Sequence, residues 1–250
     1  MIRKIAFAAT GAALVCAAAY PLPAPEQAVV SVAREAIVAS YTPAGGVATT
    51  AAAACVDTAY AFQPWHLTST YKWYYNGTRA PASVAAAALT TLRTASKSAA
   101  SGRNRCGTTV TLSTTEQYLG TTNAVAQISA TGACLGNDGV SVASWGTLPP
   151  SVLAVTCAYY RTSTGAVSSS DLLIDNTVHK WFTTLPANCA NAFDLESVVM
   201  HERGHTAGLA HVDQATHAVE TMSPKAVPCD TAKRAFAAGD LRGLAILYSR

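Results

Sequence analysis

His201-Glu202-Arg203-Gly204-His205-Thr206-Ala207-Gly208-Leu209-Ala210-His211 is the stretch on which the reading of this chain turns. It spells H-E-x-x-H-x-x-G-x-x-H. On a helix, His201 and His205 lie one turn apart on the same face, so both imidazoles can reach one metal ion. Glu202 sits beside that ion without having to bind it, placed to take a proton from water. Gly208 can adopt the positive φ that ends a helix, and the bend returns His211 as a third nitrogen ligand. Three protein ligands that leave a position for water make an open, reactive zinc site, whereas structural zinc sites are closed by four.

The chain has 250 residues, enough for one sizeable domain. Half the residues are hydrophobic, many of them alanine, and 12% are charged, which suits a packed exported protein better than a disordered one. Met1–Ala19 reads as a secretory signal peptide: Arg3 and Lys4, then an apolar run, then Ala17-Ala18-Ala19. Cys16 fits a lipoprotein signal poorly, because Val15 and Ala13 are the wrong neighbours. No later segment has the roughly 20 apolar residues of a membrane span. Loss of Arg3 and Lys4 with the signal leaves the net charge close to neutral, so nothing in it points to nucleic acid or a membrane surface. Six cysteines then remain, Cys55, Cys106, Cys134, Cys157, Cys189 and Cys229, an even number suited to disulfides in an oxidising compartment. Spacing alone does not choose their connectivity.

Residues 20–54 open with Tyr20-Pro21-Leu22-Pro23-Ala24-Pro25 and read as a linker or short pro-segment, with a helical turn or two at Val29–Ser40. Residues 55–250 read as one domain, divided near 208 into an upper part and a lower part, 209–250. Strand-like texture covers His66–Asn76, Thr108–Ser113, Val140–Trp145, Val152–Tyr160 and Asp171–Asn176. Pro81–Ser101 carries Val84, Ala88, Leu92 and Ala95 at helical spacing. Asp194 is placed to cap a helix running to Gly208, and Thr231–Tyr248 forms a last helix with Phe236, Leu241, Leu244 and Leu247 on its apolar face. The pattern predicts a mixed α/β single domain.

These residues together resemble the metzincin clan of zinc endopeptidases, and within it secreted matrixin-like enzymes of bacterial type. The resemblance spans about residues 70 to 250. His201–His211 matches the clan motif at each fixed position. Met222-Ser223-Pro224 looks like the Met-turn beneath the metal, and Gly239–Tyr248 is similar to the closing helix of matrixins. Trp145-Gly146 and Asp171–Ile174 resemble their central strands. The likeness implies a twisted, mostly parallel sheet with two helices, then a small C-terminal subdomain with the Met-turn and final helix. It implies one catalytic Zn2+ on His201, His205 and His211, Glu202 as general base, Met222 as support, and protein or peptide substrates cut by a secreted monomer. It also implies a substrate-binding sheet edge at Leu172, Leu173, Ile174, Asp175 and Asn176.

Several features depart from the family pattern. Val212 stands at a position where subfamilies differ, and no tyrosine lies two residues after Met222 to act as a further ligand. Arg105-Cys106-Gly107 resembles the cysteine-switch sequence but falls after the first helix, where a disulfide role is favoured. Acidic residues form no oxygen-ligand cluster, so calcium sites are not carried over. Within this plan Cys189, before the motif helix, is expected to pair with Cys229, after the Met-turn. Cys55–Cys106 and Cys134–Cys157 are candidate pairings for the other four, among which the sequence does not choose.

Three surface histidines at a helix end would need the helical spacing, the Glu, the Gly and the downstream Met all to be accidental. His66, His179 and His217 share no ligand spacing, and surface or packing roles are expected for them. Asp171 and Asp175 are read as capping or turn residues, Asp240 as a support for the last helix, and Arg203 as solvated. Two rivals to a general endopeptidase are a silent metzincin-fold binding or adhesion module and a processing protease of narrow specificity.

Overall fold

In Asp171-Leu172-Leu173-Ile174 the pleat sends Leu172 and Ile174 to one face and Leu173 to the other. Both faces are covered, and the strand lies inside a seven-stranded sheet. The computed structural model describes residues 30–41 and 52–248; the expected signal peptide lies outside the described residues. The main-sheet strands are β1 (Val30–Ala39), β3 (Tyr71–Asn76), β4 (Glu116–Thr121), β5 (Val142–Gly146), β6 (Val152–Arg161), β7 (Val167–Asp175) and β11 (Lys225–Ala226). Two-stranded pairs join β2 (Ala61–Phe62) to β10 (Leu209–Ala210) and β8 (Lys180–Phe182) to β9 (Ala192–Asp194). Among the described residues there are four helices: α1 (Ala53–Val56), α2 (Ala85–Ala100), α3 (Leu195–Thr206) and α4 (Ala238–Tyr248).

Spatial order in the sheet is β11-β1-β6-β7-β5-β3-β4. Strands β4, β3, β5 and β7 run parallel, while β6 is antiparallel to both β7 and β1. One face buries Trp73, Tyr75, Trp145, Leu172 and Ile174 against Ala88, Leu92 and Ala95 of α2 and Leu195, Val198 and Val199 of α3. The other face carries a smaller cluster of Val155, Cys157, Tyr159 and Leu173 under Ala126 and Ile128. Disulfides join Cys55 to Cys106, Cys134 to Cys157 and Cys189 to Cys229. Cys106 is thus committed to a bridge.

Val29–Ser40 was expected to form helical turns; Val30–Ala39 is a strand, because its backbone pairs along β6 and that ladder outweighs weak local helix propensity. Strand β4 carries no strong β signal, and it forms because β3 templates it in parallel. Thr108–Ser113 is not a named strand, and His66 makes only an isolated bridge to Ala166. The last helix begins at Ala238 rather than Thr231.

The expected substrate edge is also misplaced. Strand β7 pairs with β5 on one side and β6 on the other, and Leu172, Leu173, Ile174 and Asp175 are buried. Asn176 lies just past the strand, its side-chain amide donating to the Arg79 carbonyl. An apolar run covered on both faces belongs to a sheet interior rather than to an edge. On the next strand, β6, the Thr156 hydroxyl donates to Glu202 of the motif helix.

Candidate metal centre

Helix α3 starts where its sequence says it should. The Asp194 side chain accepts hydrogen bonds from the backbone N–H of Ser197 at 3.1 Å and its hydroxyl at 2.6 Å, satisfying one of the helix's free donors. Arg234 grips the same carboxylate with Nε at 2.9 Å and Nη2 at 2.6 Å, tying the lower part of the chain to the helix start. Leu195, Val198, Val199 and Met200 enter the core, so His201, Glu202 and His205 are fully buried with them. At the other end Gly208 takes φ +93°, and a Cβ there would lie 2.3 Å from the Trp65 carbonyl oxygen. Only glycine fits that turn, and beyond it the chain brings His211 back.

The three Nε2 atoms converge, at 2.9 Å for His201–His205, 3.0 Å for His205–His211 and 3.1 Å for His201–His211. His201 Nδ1 donates to the Thr221 carbonyl at 2.7 Å, and His205 Nδ1 donates to the Leu209 carbonyl at 2.9 Å. A ring that donates through Nδ1 presents a bare lone pair at Nε2. Burial, with mutual repulsion among the rings, holds His201 and His205 well below the usual histidine range, and burial lowers His211 to about 4. Neutral rings with facing lone pairs repel unless a cation lies between them. Tetrahedral Zn–N bonds of about 2.0–2.1 Å set nitrogens roughly 3.3 Å apart, close to the spacing found. The donor set fits zinc.

Below the site, Met222 packs against the helix so closely that a Cβ on Gly204 would lie 2.2 Å from its Sδ. Asp240 holds this turn: its carboxylate accepts from the backbone N–H of Thr221 at 2.7 Å, Met222 at 3.2 Å and Ala237 at 2.9 Å. Glu202 projects beside the histidines, accepting from the Thr156 hydroxyl at 2.5 Å and the Ile37 N–H at 3.2 Å. Burial pushes its carboxyl up to about 8, against the pull of those two bonds.

The matrixin family model matches residues 93–249, well over half of the chain. The chain belongs to the matrixin family. No curated protein sequence matches it. Matrixins bind zinc and are metallopeptidases, and in this matrixin His201, His205 and His211 form the group, among the described residues, whose ligand atoms can reach one metal ion. Its mixed α/β fold is that of a matrixin catalytic domain.

The structure brings His201, Glu202, His205, His211 and Met222 together, and it places Leu172–Asn176 elsewhere, in and just after an interior strand. His179 is a packing histidine, its Nδ1 3.0 Å from Asp175. His217 pairs with Asp57 at the surface. Arg203 is not solvated: its Nη1 donates to the Tyr71 hydroxyl at 2.6 Å, its Nε to Ser96 at 2.9 Å, and its guanidinium lies 4.7 Å from the Trp73 ring centroid. Sequence reasoning missed Thr156, Glu35 and Ile37. Thr156 sits inside an apolar run and carries no motif, and the other two reach the site only through the pairing of β1 with β6.

Proposed function

We propose that this matrixin is a secreted zinc-dependent endopeptidase acting as a monomer on extended segments of protein substrates. The observation that carries the reading is the convergence of three neutral imidazole nitrogens beside the Glu202 carboxyl. Bound to His201, His205 and His211, Zn2+ supplies Lewis acidity for the scissile carbonyl and for the attacking water.

The chain's own groups do the rest. Glu202 takes a proton from water as the water attacks, then returns it to the leaving nitrogen. The Thr156 hydroxyl and the Ile37 N–H, which donate to it, favour the ionised carboxylate against the effect of burial. Thr156 fixes the carboxyl so that one oxygen faces the groove. The Thr221 and Leu209 carbonyls keep two imidazoles in the tautomer that leaves Nε2 free. Substrate lies between β6 above and β11 below, held by backbone pairing as an added strand.

Residues 1–19 are read as the export signal, 20–54 as a linker or short pro-segment and 55–250 as the catalytic domain. Three disulfides suit an exported protein. Glu202→Gln is expected to keep one equivalent of zinc and lose casein hydrolysis by at least about 100-fold. Near wild-type hydrolysis by that variant would end this reading.

A further inference from the structure

Arg203 carries a buried charge that no carboxylate meets. The residue is 3% exposed and sits on helix α3 about 200° round from His201, on the far face from the histidines. Its guanidinium lies against two aromatic faces, 4.9 Å from the Tyr71 ring centroid and 4.7 Å from that of Trp73. Nη1 donates to the Tyr71 hydroxyl at 2.6 Å and Nε to Ser96 Oγ at 2.9 Å. Nη2 is buried and, among the described residues, has no hydrogen-bond partner. Among the same residues no carboxylate oxygen lies within 4.0 Å of the guanidinium. Aromatic faces ease such a charge without neutralising it.

Arg203 and Ser96 both line a cavity of about 30 Å3, whose walls include Leu67, Ala99, Leu112 and Leu244. The other polar side chains around it are committed elsewhere. Thr114 donates to the Ser69 carbonyl at 3.0 Å, Thr206 to the Glu202 carbonyl at 3.3 Å, and Tyr248 to the Ala207 carbonyl at 2.7 Å. Glu116, half-buried in the wall, accepts from the Trp73 indole N–H at 2.8 Å. The core carboxylates are also taken, Glu202 by Thr156 and Ile37, and Asp171 by the N–H groups of Gln127 and Val142. Ser96 Oγ accepts from Arg203, and among the described residues its own hydrogen has no acceptor. What is left unspent at this void is a set of donor hydrogens on and beside a cation.

We infer that this cavity binds a small monovalent anion of chloride size, held by Arg203 Nη2 and the Ser96 hydroxyl. An anion accepts both donors and has no hydrogens of its own to place. A water would accept the same two bonds and turn its hydrogens toward leucine and alanine, whereas buried waters ordinarily need several polar partners. A void of this size holds one or two bodies as large as water, so a ligand with an organic body is excluded. A charge taken out of water is costly unless it is paired, and the anion supplies the pairing that the chain itself does not. Helix α3 carries His201, Glu202 and His205 on one side and would gain an anchored counter-charge on the other.

The test uses the full zinc-loaded chain. Wild-type crystals grown in sodium bromide, with data collected at the bromine edge, should show an anomalous peak in contact with Arg203 Nη2 and Ser96 Oγ. In solution, thermal melts are run in sodium bromide or chloride, with sodium gluconate keeping the ionic strength constant. The wild-type Tm should rise by about 2–5 °C as halide saturates the site. Arg203→Met should lose the halide-specific rise. Ser96→Ala keeps the charge, and its halide midpoint should move to about tenfold higher concentration. An empty or water-filled cavity with no anomalous peak overturns the inference, whatever the variants do. A halide response equal in wild type and Ser96→Ala also overturns it. Casein hydrolysis enters none of these measurements, so their failure leaves the endopeptidase reading untouched.

Discussion

His201 Nδ1 donates to the carbonyl of Thr221 at 2.7 Å, so a histidine of the candidate metal centre is oriented by the backbone of the turn that carries Met222. That turn is in turn held by Asp240, whose carboxylate accepts from Thr221 and Met222 N–H. A helix residue thus positions a histidine it does not touch.

Asp240→Ala should accordingly weaken zinc binding while leaving the three ligands in place. Loss of an outer-shell partner typically costs about 10–100-fold in metal affinity. Competition against a chromophoric chelator would read the change. Affinity equal to wild type would show that the Met-turn holds its shape without the carboxylate.

Gly204→Ala should destabilise the fold. The new Cβ would sit 2.2 Å from Met222 Sδ and 3.3 Å from a Phe236 ring carbon, in a site with no slack. Overpacking of this kind costs about 1–3 kcal/mol. Thermal melts of the zinc-loaded protein would show a lower Tm, and an unchanged Tm would mean that Met222 can move aside freely.

Removal of the Cys189–Cys229 bridge, by changing both to Ser, lengthens the loops available to the unfolded chain. The sequence separation is 40 residues, for which the chain-entropy estimate is about 4 kcal/mol. Denaturant unfolding of bridged and unbridged protein, compared at the same zinc loading, measures it. A loss below about 1 kcal/mol would show that packing alone holds the lower part.

Asp171 gives a pH dependence with a definite sign. Burial raises its carboxyl from 3.8 to about 6, only partly opposed by the backbone N–H groups of Gln127 and Val142. The folded state therefore binds this proton more tightly than the unfolded chain does. Its contribution is fully present below pH 3.8 and is lost as pH rises to about 6. Asp171→Asn lacks that loss, so its Tm relative to wild type should climb across this window and then level off. A difference that stays flat from pH 4 to 7 would refute the assignment.

Much of the metal centre was legible before any coordinates. Helical spacing fixes where His201 and His205 point, Gly208 is readable as the turn that returns His211, and Asp194 is readable as a cap, because each depends on residues within a few positions of one another. Met222 was legible through family likeness, although its contact with Gly204 was not. Arg203 misled, since a charged residue on a helix reads as solvated until Tyr71 and Trp73 are seen to cover it.

The remaining features depend on which strand lies beside which. Leu172–Ile174 looked like a substrate edge because local pattern cannot distinguish an interior strand from an exposed one; in the sheet β7 lies between β5 and β6. Thr156 meets Glu202 across 46 positions, and Ile37 meets it across 165. Such contacts arise from sheet register, and register is settled by long-range backbone pairing and burial that leave no periodic trace in either segment. The convergence of His201, His205 and His211 was legible from spacing alone. That β1 runs beside Glu202 became visible only when the sheet closed around β6.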